Sequence, residues 1–243
     1  FNQINRLDRV TDTATANTTA QRVLIDHHLH PPVDGYTVQF SDTHSCSTSY
    51  IVYQLIEALA GTDAIDQAMA EALYVGIMTD TGNFSFSNLT SDLFRAVAVL
   101  IDRGVNVPYV NSSVYDNFSE GRMRLLGYML NDKMVTDYRY GVAYVSLTEE
   151  EMRRFNFIQG DSEGFVNYPL SIRGIRMSAM FIQTKHSIRV SLRSRGSDVD
   201  VNVFARRYFD GGGHRNAAGG KSYVSMDETL KNFHTYLKEY FGA

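Results

Sequence analysis

The run Arg22-Val23-Leu24-Ile25-Asp26 passes from unbroken apolar residues straight into the polar cluster Asp26-His27-His28, with His30 close behind. A short, non-alternating apolar run predicts a strand buried on both faces, the pattern of a parallel sheet. Groups leaving the carboxyl end of such a strand point into a crevice. The next hundred residues keep to that plan. A second short strand is expected over Tyr36–Phe40, after the Pro31-Pro32 break, and Ser45-Cys46-Ser47-Thr48-Ser49 is a plausible cap for a helix over Tyr50–Leu59. Apolar residues at helical spacing, Ile65, Ala68, Met69, Ala72, Val75 and Gly76, predict a helix over Ala64–Met78 running into Thr79-Asp80-Thr81-Gly82. Another is expected over Asp92–Arg103, stopped by Gly104. Strands alternating with helices argue for an α/β layer with a largely parallel sheet.

The pattern changes after a polar-faced helix over Ser119–Asp132. Hairpin signals appear at Met134–Tyr138 and Val142–Leu147, followed by a strand pair over Arg176–Thr184 and Ser187–Arg193 with a tight turn near Lys185-His186. Thr148-Glu149-Glu150-Glu151 and Ser225-Met226-Asp227-Glu228 each fit a capping box opening a helix, and Val199–Tyr208 is expected to be helical. This places a first domain at residues 1–118, a linker helix at 119–133 and a second α/β domain at 134–243. A length of 243 residues is ample for two such domains.

Composition removes other classes. Apolar residues at 44% and charged residues at 21% exclude a disordered, collagen-like or coiled-coil chain. The single Cys46 excludes an internal disulfide and favours a reducing, cytoplasmic setting. A net charge of -4 argues against a non-specific coat for duplex DNA. No apolar run approaches the roughly 18 residues of a spanning helix, and the opening Phe1–Asp12 lacks the layout of a signal peptide. Because the sequence starts at Phe1 with an element that looks already under way, it is expected to be part of a longer protein.

Three clusters carry chemistry. In Asp26-His27-His28 one imidazole can ligate a metal while its neighbour faces a ligand and Asp26 fixes a tautomer; a surface turn with adjacent histidines is the alternative. In Thr79-Asp80-Thr81-Gly82-Asn83-Phe84 a carboxylate beside a glycine turn suits a hard divalent cation, or is a plain turn residue. In Gly211-Gly212-Gly213-His214-Arg215 the glycines let backbone N–H groups approach an anion, while His214 and Arg215 add donors; a structural glycine turn is the alternative. Arg193 and Arg195 could add a second anion clamp or form a solvated edge. The glycine segment is neither a P-loop nor a dinucleotide fingerprint, since Arg215 and Asn216 stand where glycines would be required. Neither a G-x-S-x-G elbow nor an H-E-x-x-H segment occurs.

In this order, the three clusters resemble the DHH phosphoesterases that carry a C-terminal DHHA1 domain, and more closely their bacterial branch of nanoRNase and pAp-phosphatase proteins. The resemblance implies a parallel-sheet DHH domain, incomplete at its amino end, joined by a helix to a smaller α/β DHHA1 domain. It implies that His27 is a metal ligand, that Asp80 bridges two divalent ions, usually Mn2+ with Mg2+ or Co2+ as alternatives, that His28 faces the phosphate and that Asp26 supports the histidines. Gly212, Gly213 and His214, with Arg193, Arg195 and Arg215, would hold a nucleotide or short oligonucleotide. A homodimer is a further implication, and no membrane partner is expected. The family's opening Asp-rich motif and a further metal-bridging Asp are missing, and Phe1-Asn2 looks like the continuation of a motif just upstream. With His27 and Asp80 alone among the implied ligands, these 243 residues are expected to bind manganese weakly or not at all.

Overall fold

In a computed structural model of the chain, the described residues are 11–16, 19–28, 34–86 and 88–242. Expectations about Phe1–Leu7, His30 and Pro31-Pro32 lie outside them. The chain divides into two compact units, Phe1–Asn117 and Phe118–Ala243.

In the first unit, α1 (Thr11–Ala16) precedes β1 (Val23–Asp26), which pairs in parallel with β2 (Val38–Ser41), Val23 opposite Val38 and Asp26 opposite Ser41. Four helices follow: α2 (Thr48–Ala60), α3 (Gln67–Asp80), α4 (Ser91–Asp102) and α5 (Val107–Tyr115). Each has a capping side chain that accepts a backbone N–H of its first turn: Ser47, Asp66, Thr90 and Asn106. Such a cap is worth about 1 kcal/mol. The helix α5 had not been expected, although Asn106 followed by Pro108 is a helix-start signal. Tyr53, Leu73, Tyr74, Ile77, Met78, Leu93, Val97 and Leu100 form the core that α2, α3 and α4 share. At Gly76 a Cβ would lie 2.0 Å from Ser49 Oγ, so glycine is what lets α3 pack closely on α2. That contact fixes where the carboxyl end of α3 emerges.

The second unit is a six-stranded sheet in the order β3-β4-β5-β6-β8-β7: β3 (Val135–Asp137), β4 (Val142–Leu147), β5 (Met177–Gln183), β6 (Ile188–Ser194), β7 (Gly212–His214) and β8 (Ala217–Ser222). Only β4 and β5 run parallel. Their crossover holds α7 (Glu149–Arg154), opened by the expected capping box of Thr148 and Glu151, and a 3-10 turn at Phe165–Ser171. The helices α8 (Val201–Tyr208) and α9 (Met226–Phe241) bury one face of the sheet through Phe204, Ala205, Phe233 and Leu237, packed on Tyr144, Phe181, Val190 and Leu192. On the opposite face, Val145, Leu147, Met180 and Ile182 pack with Leu125, Leu126 and Met129. Those last residues come from α6 (Glu120–Tyr128) and the π turn after it, so the segment expected as a linker is a helix built into this core.

One expectation is corrected. The segment Gly211–Gly220 is not a loop: β7 and β8 form an antiparallel hairpin turned at Arg215-Asn216, with Gly212 opposite Gly219 and His214 opposite Ala217. Glycine serves close packing here. A Cβ at Gly211 would lie 2.0 Å from the Gly219 carbonyl oxygen, and one at Gly220 would lie 2.5 Å from that of Phe209. Glycine-rich sequence reads locally as a breaker, but ladder pairing with β6 overrides it.

Candidate active site

In the first unit Asp26 ends β1, is buried, and holds His28 twice through one oxygen: Oδ1 lies 2.6 Å from His28 Nδ1 and accepts the His28 backbone N–H at 3.2 Å. Burial pushes the Asp26 carboxyl up, but the bonds and charge of His28 outweigh this and hold it below the usual carboxylate range. The other oxygen, Oδ2, is buried without a hydrogen-bond partner among the described residues. So is Oγ of Ser41, the register partner of Asp26 on β2. Orphaned buried oxygens are costly, and in native proteins they mark functional or ion-binding positions.

His27 and Asp80 meet beside them. His27 Nε2 lies 3.8 Å from Asp80 Oδ2, its Nδ1 lies 3.2 Å from the Ser45 carbonyl oxygen, and its ring crosses that of His28 at 4.8 Å between centroids. A separation of 3.8 Å is too long for a hydrogen bond, yet one divalent cation with ligand bonds of about 2.1 Å can be reached from both atoms. The contact with Ser45 orients the imidazole, as outer partners of metal-bound histidines do. Asp80 is the last residue of α3, whose final turn carries no basic residue. Negative charge at the negative end of a helix costs roughly 0.3–1 kcal/mol unless a cation answers it. The pair of imidazole nitrogen and exposed carboxylate therefore fits a hard or borderline divalent ion.

The backbone after Asp80 is unusual. Gly82, Asn83 and Phe84 are all left-handed, with φ of 55°, 55° and 58°. Consecutive left-handed residues are rare, and an aromatic one is strained. Thr81 holds the turn. Its buried hydroxyl donates to the Ile77 carbonyl at 2.7 Å and accepts from Phe84 N at 3.1 Å, while its carbonyl accepts from Ser85 N and Phe86 N, each at 3.0 Å. The Phe84 ring anchors it against Tyr74 and Phe94. Cys46, within the field of Asp80, is buried and its thiol is pushed up to about 11, chiefly by desolvation, which makes it a packing group.

In the second unit the register gathers a different set. Paired residues share a face, so Arg193, Ala217 and His214 form one row across β6, β8 and β7. Ser191, Gly219 and Gly212 form the next, and Arg189 and Lys221 the one beyond. This is the half of the face beyond the rows that pack with α6. Burial pushes the Arg193 guanidinium down, with Glu163 countering. Arg193 donates to the Leu192 carbonyl at 3.0 Å and has no carboxylate within ion-pair distance among the described residues. A half-buried cation without a carboxylate partner, beside small residues, suits an anionic ligand. Gly213 points the other way: its N–H donates to Asn202 Oδ1 at 3.0 Å, and a Cβ there would lie 2.4 Å from the Ala217 carbonyl oxygen. Arg215 sits exposed in the hairpin turn and donates to the Ser197 carbonyl, while Arg195 lies exposed just past β6. Arg189, Ser191 and Lys221 were missed from sequence. The alternation Ile188-Arg189-Val190-Ser191-Leu192-Arg193 was the signal that could have found the first two.

Comparison with known proteins agrees with this division. Residues 2–77 match the model for the DHH family, N-terminal domain, and residues 137–243 match that for the DHHA1 domain. A crystal structure of an exopolyphosphatase-related protein from Bacteroides fragilis superposes with a TM-score of 0.92 at 38% identity, covering 99% of this chain and 69% of that one. The bifunctional oligoribonuclease and PAP phosphatase NrnA of Bacillus subtilis is 29% identical over 91% of the chain and 69% of its own length. The cyclic-di-AMP phosphodiesterase GdpP of the same organism is 26% identical over 90% of the chain and 32% of its own length. The chain spans 69%, 62% and 56% of three NrnA proteins from different bacteria. No helix among the described residues is long and apolar enough to cross a membrane. With both family domains matched in order and a relative this similar over most of its length, the chain belongs to the DHH phosphoesterase family, with a DHHA1 domain at its carboxyl end.

Proposed function

We propose that this chain carries the reaction site and the substrate grip of a metal-dependent phosphoesterase that cleaves very short oligonucleotides and removes a phosphate from 3′-phosphoadenosine 5′-phosphate. The observation that carries this reading is the convergence of His27 and Asp80 at 3.8 Å, 53 residues apart in the chain. A divalent cation, Mn2+ in our reading, would supply there a bound water of lowered pKa and stabilisation of charge building on phosphorus. His28, held through Nδ1 by Asp26, would face a phosphate oxygen. Arg193 and His214 line the sheet face that would receive the remainder of an anionic substrate. The similarity to NrnA proteins supports the substrate class, and a cytoplasmic setting fits the unpaired, buried Cys46.

A second reading, cleavage of a cyclic or linear dinucleotide signal, is favoured by the likeness to GdpP. Both are tested by incubating the protein with Mn2+ and, separately, pApA, 3′-phosphoadenosine 5′-phosphate, cyclic di-AMP and tripolyphosphate. The first reading expects mononucleotide from pApA and inorganic phosphate from the bisphosphate. Release from cyclic di-AMP alone would favour the second. Nucleotide binding without cleavage of any of the four would make the protein a binder.

A further inference from the structure

Six residues beyond Asp80, Phe86 is 56% exposed and stacks on no other ring among the described residues. It is nevertheless held in place. Its backbone N–H is bonded to the Thr81 carbonyl, and the left-handed turn fixes the path between them. One face of its ring lies against Gly82: a Cβ there would lie 2.4 Å from Phe86 Cζ and 2.6 Å from each Cε. Gly82 is therefore required twice over, for its φ of 55° and for the room its hydrogen leaves. Gly82 thus covers part of one face of the ring, and the residue stays 56% exposed beyond it. Ordering an exposed phenyl ring in the turn that follows Asp80 adds nothing to a core, and its neighbour Phe84 already supplies the apolar anchor.

We propose that Phe86 is a stacking platform for the base of the nucleotide next to the scissile phosphate. Stacking on an aromatic face is tolerant of base identity, so the role predicts a preference for substrates with bases over polyphosphate. The inference rests on the phosphoesterase reading of Asp80 but is separable from it.

The test uses the protein with Mn2+, the dinucleotide pApA, and an analogue with the same sugar-phosphate backbone and no bases. Phe86→Leu should raise KM for pApA about 10-fold while leaving the analogue unaffected, and Phe86→Tyr should restore the original KM. Equal losses on both compounds, or no change on pApA, overturn the proposal. Binding gives a readout apart from activity. The chain contains no tryptophan, so Phe86→Trp introduces a single indole that can be excited selectively over the tyrosines, and its emission pApA should quench saturably and the base-free analogue should not. Absence of quenching by pApA, or equal quenching by both, also overturns it. If the unaltered protein cleaves neither compound while quenching persists, the stacking role stands and the phosphoesterase reading falls.

Discussion

Around the end of β1 the polar groups are carboxylates and imidazoles set 2.6–3.8 Å apart, with two buried oxygens unanswered. On the half of the six-stranded sheet beyond the rows that pack with α6 they are Arg189, Arg193 and Lys221, spaced along strands and separated by glycine, alanine and serine. The first arrangement concentrates acceptors and so collects a cation. The second spreads donors over small residues and so collects an anion with bulk. A phosphoester needs both, one to activate water and polarise phosphorus, the other to hold the chain of phosphates and sugars. Under the proposed function the first region serves the reaction and the second recognition, and substitutions should separate them.

The largest separation is expected at Asp80. Asp80→Asn keeps the shape and removes the charge, and should lower kcat on pApA by ~1000-fold or more, because loss of a metal ligand exceeds the 10–100-fold cost of losing a ligand's supporting partner. Steady-state rates at saturating Mn2+ check it; a loss confined to KM would assign Asp80 to recognition instead. Arg193→Gln should do the converse, raising KM for pApA about 10-fold or more with a smaller change in kcat. A kcat effect comparable to that of Asp80→Asn would erase the distinction.

A smaller effect concerns acid stability of the second unit. Glu151, bonded to Lys133, Tyr128 and Thr148, is pushed up by burial but held down more strongly by these partners, to about 2 from 4.5. A depressed folded-state pKa means that its stabilisation is complete above about pH 4.5 and is lost as pH falls toward 2. Glu151→Gln should therefore destabilise by about 2 kcal/mol at pH 7, with the difference from the unaltered protein shrinking through that window in urea titrations. A difference independent of pH would remove this role. The smallest effect has the opposite sign to the first: Asp80→Asn should stabilise the fold by ~0.5 kcal/mol in the absence of metal, since it relieves negative charge at the end of α3. A destabilised variant in a chelator-treated thermal melt would count against the functional placement of that carboxylate.

Much of this was legible where local signals act alone. The run Val23–Asp26, the caps at Ser47 and Thr148, and the alternation through Ile188–Ser194 each specify their element within a few residues. The cluster Asp26-His27-His28 and Asp80 stood out as polar residues ending apolar segments, with a plain turn as the alternative at each, and only the fold shows that His27 and Asp80 lie 3.8 Å apart. The hairpin over Gly212–Ser222 was not legible, since pairing with β6 and the close approach to Phe209 decide it from a distance. Neither was the left-handed turn at Gly82-Asn83-Phe84, which an asparagine and an aromatic do not announce. The role of Ser41 beside Asp26 comes from strand register alone.

The division of labour is tested most directly by titrating Mn2+ into the unaltered protein, Asp80→Asn and Arg193→Gln while following the electron paramagnetic resonance signal of the free ion. Uptake by the unaltered protein is expected to be weak, Asp80→Asn should weaken it at least a further ~10-fold, and Arg193→Gln should leave it unchanged. Equal uptake by the unaltered protein and Asp80→Asn would contradict the placement of the metal at that carboxylate.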